Sequence, residues 1–214
     1  VPIGAKDYSS IIASIPDDVD AIYVALGGAD ATNFLTQYTE QGGDKPIIGG
    51  SITVDQTVLG SKGRVQDIVV GAIAAGPIAD TWDDPTWKAW VKEYQEMFPD
   101  GLPSPSLFAH AYYIAMDAVL TALDEVNGDL SGGQAKFREA LANLKLDTPT
   151  GEVTLDQNRQ AVADIFLTEV VKGPDGGLAN KVIEVIPHVN QTLGMERQAF
   201  LDLGPVGRDN PKCQ

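Results

Sequence analysis

Two glycine-rich segments follow short apolar runs and carry residue types that could hold a small ligand. Gly27 and Gly28 end the apolar run over residues 20–26, and Asp30 follows them. Glycines at a helix start let backbone N–H groups approach an anion, and a carboxylate can accept hydrogen bonds from an amine. The competing interpretations are a tight turn for the glycines and a helix-dipole partner for Asp30. Taken alone, these residues favour the competing interpretations.

Ser51 and Phe108 are further candidates. Ser51 follows a glycine pair at the end of the next apolar run, where serine is also an ordinary turn residue. Phe108 opens a long helical pattern, where an ordinary core position is the interpretation that the residues alone offer. His110, two residues after Phe108 in the same helical pattern, is expected to face a different side and to be structural. Trp87 and Trp90 share a helical face and are expected in the core.

Catalysis is not needed to explain any residue pattern in this chain. Only two histidines and one cysteine are present, and neither a Gly-x-Ser-x-Gly elbow nor a phosphate-binding Gly-x-x-x-x-Gly-Lys-Ser/Thr loop occurs. The isolated His110 and His188 suggest no metal cluster. We therefore expect a binding protein, without cofactor or metal, rather than an enzyme.

The elements that would position these residues alternate between strand and helix as far as the connector. Residues 20–26, 46–50 and 68–73 are typical of buried strands, and residues 29–41 and 84–98 have helical spacing. This order predicts an α/β fold with a parallel sheet and helices on both of its faces.

The second half of the chain has a different order. After a Pro- and Gly-rich connector at 99–105, residues 106–126 and 134–144 are expected to be helical. Strands are expected at 151–156, 164–171 and 181–187. Each side of the connector has only about three or four strands, fewer than the five or six of a usual sheet. The chain is therefore predicted to be the second half of something larger.

Composition limits the choice of partner. The 214 residues include 30 acidic and 15 basic side chains, a net charge of −15. Such a surface repels phosphate, which argues against nucleic acid and against an anionic membrane. No apolar run reaches the length of a membrane span, about 18 residues. The opening residues 1–4 lack a basic signal-peptide region, so the chain is expected to be mature, trimmed or a fragment.

Several segments in order resemble the periplasmic substrate-binding proteins of branched-chain amino acid ABC transporters. Residues 41–50, Gln-Gly-Gly-Asp-Lys-Pro-Ile-Ile-Gly-Gly, fit that family, as do the helix around 111–118 and the hairpin motif Gly-Glu-Val-Thr-Leu-Asp at 151–156. The matching segments extend from Lys6 to the ending Asp-Asn-Pro-Lys-Cys at 209–213.

The resemblance implies a two-lobed type I periplasmic-binding fold, with three-layer αβα lobes and mostly parallel sheets, present here as its C-terminal part. Residues 1–104 would be part of the C-terminal lobe, and 105–188 would return to the N-terminal lobe. Residues 189–214 would form the hinge crossing and the tail on the C-terminal lobe. The N-terminal part of the same protein would be missing. In this family the ligand lies between the lobes, at the carboxyl ends of the strands, and the lobes close on it.

The resemblance also implies roles for single residues. The Gly27–Gly28 loop would face the cleft, although the family's aromatic residue there is absent. Ser51 takes the position of an acidic residue that binds the ammonium of amino-acid ligands, and Phe108 matches an apolar pocket wall. A buried ammonium without a carboxylate is costly. Either Asp30 or Asp55 replaces the acid, the missing half supplies it, or the ligand is a carboxylic acid without an amine.

The single cysteine, Cys213, lies in the tail. The count of one favours an idle thiol over half of a disulfide. If the chain is a fragment, Cys213 is instead expected to form a disulfide with a residue outside this chain.

The first hypothesis is an extracytoplasmic, periplasmic solute-binding protein that delivers a small ligand to an ABC transporter permease. The ligand would be a branched-chain or related amino acid, or a small aromatic or aliphatic carboxylate. Such a protein would be at most peripheral to the membrane, or attached to it by a lipid at the missing N-terminus. The second hypothesis is a ligand-sensing regulator of the same fold, and the third is a hydrolase using Ser51.

Overall fold

The computed structural model describes residues 1–61, 63–173, 176–205 and 207. Their strands form a single sheet in the order β1-β2-β3-β6-β5-β4, with β7 paired to β6. The strands are β1 (Ile22–Val24), β2 (Ile47–Gly50), β3 (Ile73–Gly76), β4 (Lys145–Thr148), β5 (Gly151–Leu155), β6 (Ala161–Lys172) and β7 (Leu178–Val189). The helices are α1 (Ser9–Ile12), α2 (Gly28–Glu40), α3 (Gln56–Leu59), α4 (Val65–Val69), α5 (Pro85–Met97), α6 (Leu107–Glu125), α7 (Ser131–Ala142) and α8 (Arg197–Asp202).

Strands β1 to β3 are parallel and bury only one of their two faces. Val24, Ile47 and Ala74 are nearly inaccessible to solvent and belong to the main core. The opposite face carries a row of residues paired across the three strands: Tyr23, Ile48 and Ile73. These are 68%, 44% and 37% exposed. Parallel sheets are normally covered on both faces, so this half of the sheet has an open apolar side.

Helix α2 covers the buried face. Four of its apolar residues recur at helical spacing and are buried: Ala31, Phe34, Leu35 and Tyr38. The ring of Phe34 stacks on that of Tyr38 at 5.9 Å between centroids and meets Tyr8 edge-on at 5.7 Å. The predicted helix over 29–41 is therefore confirmed, with the same amphipathic reason for its position.

Strands β6 and β7 connect the two halves of the chain. The later part of β6 pairs antiparallel with β3, and its first residues pair with β5. Strand β7 lies along the other side of β6 over most of its length. The parallel pairings are those among β1, β2 and β3, whereas β4 to β7 pair antiparallel. The predicted strands at 164–171 and 181–187 are confirmed as parts of this long hairpin.

Helices α5 and α6 lie where their patterns place them, and both have side-chain caps. Asp84 accepts hydrogen bonds from the N–H groups of Thr86 and Trp87, and Ser106 accepts one from Ala109. A cap of this kind satisfies N–H groups that have no partner inside the helix. Trp87 and Trp90 are buried together with Phe166 of β6, as expected for core residues.

One predicted strand was placed wrongly, and strand β4 was not predicted at all. Residues 68–73 are not one strand, because helix α4 continues to Val69 and β3 begins only at Ile73. Gly71, with φ of +85°, breaks the apolar run between them. Strand β4 was not foreseen, because its sequence Lys-Leu-Asp-Thr has too few apolar residues. The helix predicted over 134–144 corresponds to α7. Its predicted start lies close to the point where helical backbone angles begin, because Gly132, Gly133 and Gln134 have non-helical angles.

Candidate ligand site

The carboxyl ends of β1, β2 and β3 bring together the glycine-rich segments singled out in the sequence. A Cβ atom built on Gly27 would lie 2.2 Å from Cγ1 of Ile52, and one built on Gly76 would lie 2.4 Å from Cβ of Ser51. Both glycines are thus required by the close approach of the segment that follows β2. This edge of the sheet, formed by Gly27, Gly28, Ser51, Ile52 and Gly76, is called the glycine edge below.

Thr53 holds the glycine edge in place. It is fully buried, and its hydroxyl oxygen lies 2.7 Å from the carbonyl oxygen of Val24 and 2.7 Å from that of Leu26. The hydroxyl can therefore donate to the backbone at the end of β1. Thr53 and Ile52 were missed by the sequence reasoning, which stopped at the glycines and Ser51. Their signal was a β-branched pair one residue after the end of a predicted strand.

Helix α2 begins at the glycine edge with no side-chain cap. Gly27 is the N-cap residue in extended conformation, and it offers no side-chain acceptor to the first turn. Asp30 lies in that turn, but both of its carboxylate oxygens accept from the backbone N–H of Gly4, at 3.1 and 3.0 Å. The start of a 13-residue helix therefore presents N–H groups and the positive end of its dipole at this edge.

The second carboxylate considered for a ligand amine, Asp55, is also bound within the protein. Asp55 is 1% exposed. One oxygen accepts from the N–H and the hydroxyl of Thr57, at 3.0 and 2.7 Å, and the other accepts from the N–H of Leu107 at 2.7 Å. Asp55 therefore caps α3 and fastens the first residue of α6 to the segment after β2.

Phe108 lies in the first turn of α6, next to the residue that Asp55 holds. Its side chain is 45% exposed. Ser51 is half-buried at the glycine edge. The structure thus places Gly27, Gly28 and Ser51 on one edge of the sheet, Asp30 in the helix that starts there, and Phe108 on a different helix. Cys213 lies outside the described residues.

His110 is structural in its contacts. It is buried, one ring nitrogen lies 2.9 Å from Oγ1 of Thr150, and the rings of Trp87 and Trp90 meet it edge-on at 6.2 and 5.7 Å. Burial lowers the pKa of His110 from 6.5 to about 4, because the charged form is poorly solvated there. The imidazole is therefore neutral at pH 7.

An apolar cavity of about 420 Å³ lies between α6, α7 and strands β4 to β6. One face of α6 lines it, with a spacing of three and four residues between the side chains. Its lining includes Ala111, Ile114, Ala118, Leu146, Val153 and Ile165. Pro77, just after β3, also borders it, so the cavity extends towards the segment that follows the glycine edge.

Clusters of acidic, histidine or cysteine side chains are the usual metal-binding groups of proteins. Among the residues that the structure describes, no group of three such side chains could hold a metal ion. No helix in the described part of the chain is both long and apolar enough to cross a membrane.

Residues 1–176 match the model of a family described as periplasmic binding protein. The chain belongs to this family. The Leu/Ile/Val-binding protein homolog 6 of Brucella melitensis is 25% identical over 189 residues, which are 86% of this chain and 47% of that protein. The chain therefore spans about half the length of the curated relatives it matches.

Solved structures share the fold. An ABC transporter substrate-binding protein from Sphaerobacter thermophilus is 26% identical with a TM-score of 0.76, and the match covers 88% of this chain and 51% of that one. A solute binding protein from Rhodopseudomonas palustris in complex with 3,4-dihydroxy benzoic acid is 24% identical with a TM-score of 0.74, over 86% and 50% of the two chains. A leucine binding protein from Thermotoga maritima is 18% identical with a TM-score of 0.68, over 86% and 49%.

These likenesses confirm the predicted fold class, a type I periplasmic-binding fold present in part. They also confirm the family resemblance that the sequence motifs indicated. The glycine edge lies at the carboxyl ends of parallel strands, which is where open α/β sheets bind their ligands.

Proposed function

We propose that this chain is the C-terminal part of an extracytoplasmic solute-binding protein, which captures a small ligand between two lobes and delivers it to the permease of an ABC importer. The glycine edge is the observation that carries this proposal. At this edge the segment after β2 lies close to the backbone of Gly27 and Gly76, and helix α2 starts without a side-chain cap. The fold around it is shared with an ABC transporter substrate-binding protein. The protein would act in the periplasm, without catalysis.

The N-terminal part of the same protein would complete the cleft. Two features support this: the open row of Tyr23, Ile48 and Ile73, and the exposed apolar residues of α6. Helix α6 has apolar residues on more than one side, and apolar helix faces are normally buried. In this proposal residues 1–104 belong to the C-terminal lobe, 105–188 to the N-terminal lobe, and 189–214 to the hinge crossing and tail.

The ligand would be a small carboxylic acid without an amine. An ammonium group in a closed cleft needs a carboxylate partner. On this half of the site Asp30 is engaged by Gly4 and Asp55 by Thr57 and Leu107, while Ser51 is neutral. The start of α2 instead suits an anion. Two of the relatives are named for contrasting ligands, Leu/Ile/Val and 3,4-dihydroxy benzoic acid, and this charge pattern favours the second class.

Binding would act through lobe closure. Open and closed states exchange, and a ligand that contacts both lobes favours the closed state by its extra contacts there. Gly27, Gly28 and Ser51 would supply the contacts from the C-terminal lobe, and Phe108 would provide an apolar wall from α6. Asp55 would couple the two sides, because it joins the segment after β2 to the start of α6.

Calorimetric titration of the full-length protein tests the proposal. Benzoate and 4-hydroxybenzoate are expected to bind and leucine is not. Ser51→Asp restores an acidic side chain at the glycine edge and is expected to weaken benzoate binding by at least about tenfold through charge repulsion. Ser14→Asp, which adds the same charge at an exposed position outside the glycine edge, serves as the matched control. Tight leucine binding by the parent protein would refute the amine-free ligand. Failure of both ligand classes to bind would refute the glycine edge as a carboxylate site.

A further inference from the structure

Two arginine side chains line a cavity of about 490 Å³ between α7 and the turn that joins β5 to β6. They are Arg138 of α7 and Arg159 of the turn. The same lining includes the apolar side chains of Leu141, Ala142 and Leu155. Cavities of several hundred Å³ are the size that small-molecule ligands occupy. This cavity, called the arginine pocket below, therefore combines cationic groups with apolar surface.

Arg159 occupies a backbone position that favours glycine. The loop between β5 and β6 is short, because the N–H of Asp156 donates to the carbonyl of Gln160 at 2.8 Å. Within it the N–H of Arg159 donates to the carbonyl of Asp156 at 2.8 Å, and Arg159 itself has φ of +63°. A β-turn followed by one left-handed residue is a common hairpin loop, and glycine is preferred at the left-handed position. An arginine there costs backbone energy, and such strained residues cluster at functional sites.

The charges that line the arginine pocket favour a singly charged anion. The lining has two arginines and one acidic residue, Glu139, which forms no ion pair with either of them. Beside the pocket, Arg197 contacts Asn158 at 3.5 Å, and the carboxylate of Asp156 accepts from N–H groups of the turn. These two neighbours carry opposite charges. The positive excess at the pocket therefore matches one carboxylate better than a doubly charged phosphate, in a chain whose net charge is −15.

We propose that the arginine pocket binds a small monocarboxylic acid with an apolar body, at a second site separate from the glycine edge. The planar guanidinium groups of Arg138 and Arg159 offer paired N–H donors that match the two oxygens of a carboxylate. The apolar part of the lining would contact the hydrocarbon part of the acid. The described residues that line this pocket are not those of the glycine edge, so this inference does not depend on the proposed function.

A bound acid would connect two elements that are otherwise held by separate contacts. Arg138 lies on α7, and Arg159 lies in the turn that leads into β6. Strand β6 pairs with both β3 and β5. An acid held by both arginines would fix this turn against α7, and a ligand that binds only the folded protein raises its Tm.

Calorimetric titration of hexanoate into the full-length protein tests this site. The protein carries Ser51→Asp in every titration, so that the glycine edge contributes little and the two proposals can fail separately. A dissociation constant below about 10 mM is expected, together with a Tm that rises with the hexanoate concentration. Inorganic phosphate at the same ionic strength is expected to bind at least about tenfold more weakly than hexanoate.

Two variants and two controls locate the binding. Arg138→Gln is expected to weaken hexanoate binding at least about tenfold. Arg159→Gly is expected to weaken it as much and to raise the Tm of the ligand-free protein by about 1–2 °C, because glycine accepts the left-handed backbone. Leu193→Gly is the control for the backbone, since Leu193 is exposed, has φ of +51° and lies outside the lining. Arg64→Gln controls for the loss of one positive charge elsewhere. Both controls are expected to leave hexanoate binding unchanged.

Three results would overturn the proposal. The first is the absence of saturable hexanoate binding up to about 10 mM in the Ser51→Asp protein. The second is hexanoate binding that is unchanged in Arg159→Gly, which would make the arginine an ordinary surface residue. The third is a lower Tm in Arg159→Gly, which would mean that the arginine stabilises the turn through its own contacts within the protein.

Discussion

Helices α2 and α6 are both rich in apolar residues, but only α2 buries them. The apolar positions of α2 form one stripe, and Ala31, Phe34, Leu35 and Tyr38 all lie in the main core. In α6, which has 19 residues, only His110 and Ala122 are buried. Its Tyr112, Met116 and Leu120 are 77%, 58% and 56% exposed.

The difference shows what a helix can and cannot bury within this chain. A single apolar stripe needs one covering surface, and β1 to β3 supply it for α2. Helix α6 has apolar residues on more than one side, and it borders the cavity of about 420 Å³ on one of them. The half around α2 therefore has a packed core on one side of its sheet, whereas the half around α6 leaves apolar side chains exposed to solvent.

The largest expected effect tests this contrast with one leucine from each helix. Leu35→Ala removes a side chain that is 0% exposed, and it is expected to lower the free energy of unfolding by about 2–5 kcal/mol. Leu120→Ala, at 56% exposure, is expected to change it by less than about 0.5 kcal/mol. Urea denaturation of both variants measures the two values. Equal losses would show that α6 is packed as firmly as α2.

His110 provides the next test, since it is one of the few buried residues of α6. Its pKa of about 4 lies below 6.5, so the folded chain holds the neutral imidazole more firmly than the unfolded chain does. This contribution is fully present above pH 6.5 and is lost as the pH falls towards 4. Integrated over that window it amounts to roughly 3 kcal/mol.

The free energy of unfolding, measured between pH 7 and 4, isolates this contribution by comparison with variants. His110→Gln is expected to show a shallower decline than the parent chain because its side chain cannot take up the proton. His188→Gln changes the other histidine, which is exposed, and serves as the control. A decline in His110→Gln as steep as that of the parent would mean that other groups cause the acid sensitivity.

Prediction from the sequence succeeded where an element buries one defined face, and it failed in both halves of the chain where the pattern of apolar residues is ambiguous or weak. Helix α2 and strands β1 and β2 follow from local periodicity, because each buries one defined face within this chain. The boundary at Gly71 was missed, because an apolar run over 68–73 looks the same whether a helix or a strand buries it. Strand β4 was missed because its pairing with β5 stabilises it more than its own composition does.

The sequence predicted where the backbone of the candidate site approaches closely, but it did not predict which carboxylates of the site are free to bind a ligand. Glycines after a strand indicate close approach, and the structure shows what approaches Gly27 and Gly76. The sequence did not reveal that Asp30 binds the N–H of Gly4, or that Asp55 binds that of Leu107. Both bonds join residues distant in sequence, which no local pattern encodes. Whether a carboxylate is available to a ligand depends on such bonds.

Asp55 tests the connection between the two halves. Asp55→Ala leaves the N–H groups of Thr57 and Leu107 without their acceptor, which is expected to cost about 2 kcal/mol. Asp84→Ala removes the cap of α5, which is more exposed to solvent than Asp55. This substitution is expected to lower the free energy of unfolding by about 1 kcal/mol. The excess measures the bonds from Leu107 and from the Thr57 hydroxyl. Equal losses in denaturation experiments would leave Asp55 with a capping role alone.

The smallest expected effect on stability concerns the open face of β1 to β3, where neighbouring residues of β2 point to opposite sides. Ile48→Thr changes a side chain that is 44% exposed and keeps its β-branch, so the free energy of unfolding is expected to change by less than about 0.5 kcal/mol. Ile47→Thr, at 3% exposure, places a hydroxyl in the core and is expected to cost about 2 kcal/mol or more.

Sedimentation velocity on the isolated chain should show less self-association for Ile48→Thr than for the parent, because the open apolar row is interrupted. In the full-length protein the same substitution should become destabilising, since the row would then be covered. A substitution that stays neutral there would mean that this face of the sheet is exposed in the whole protein too.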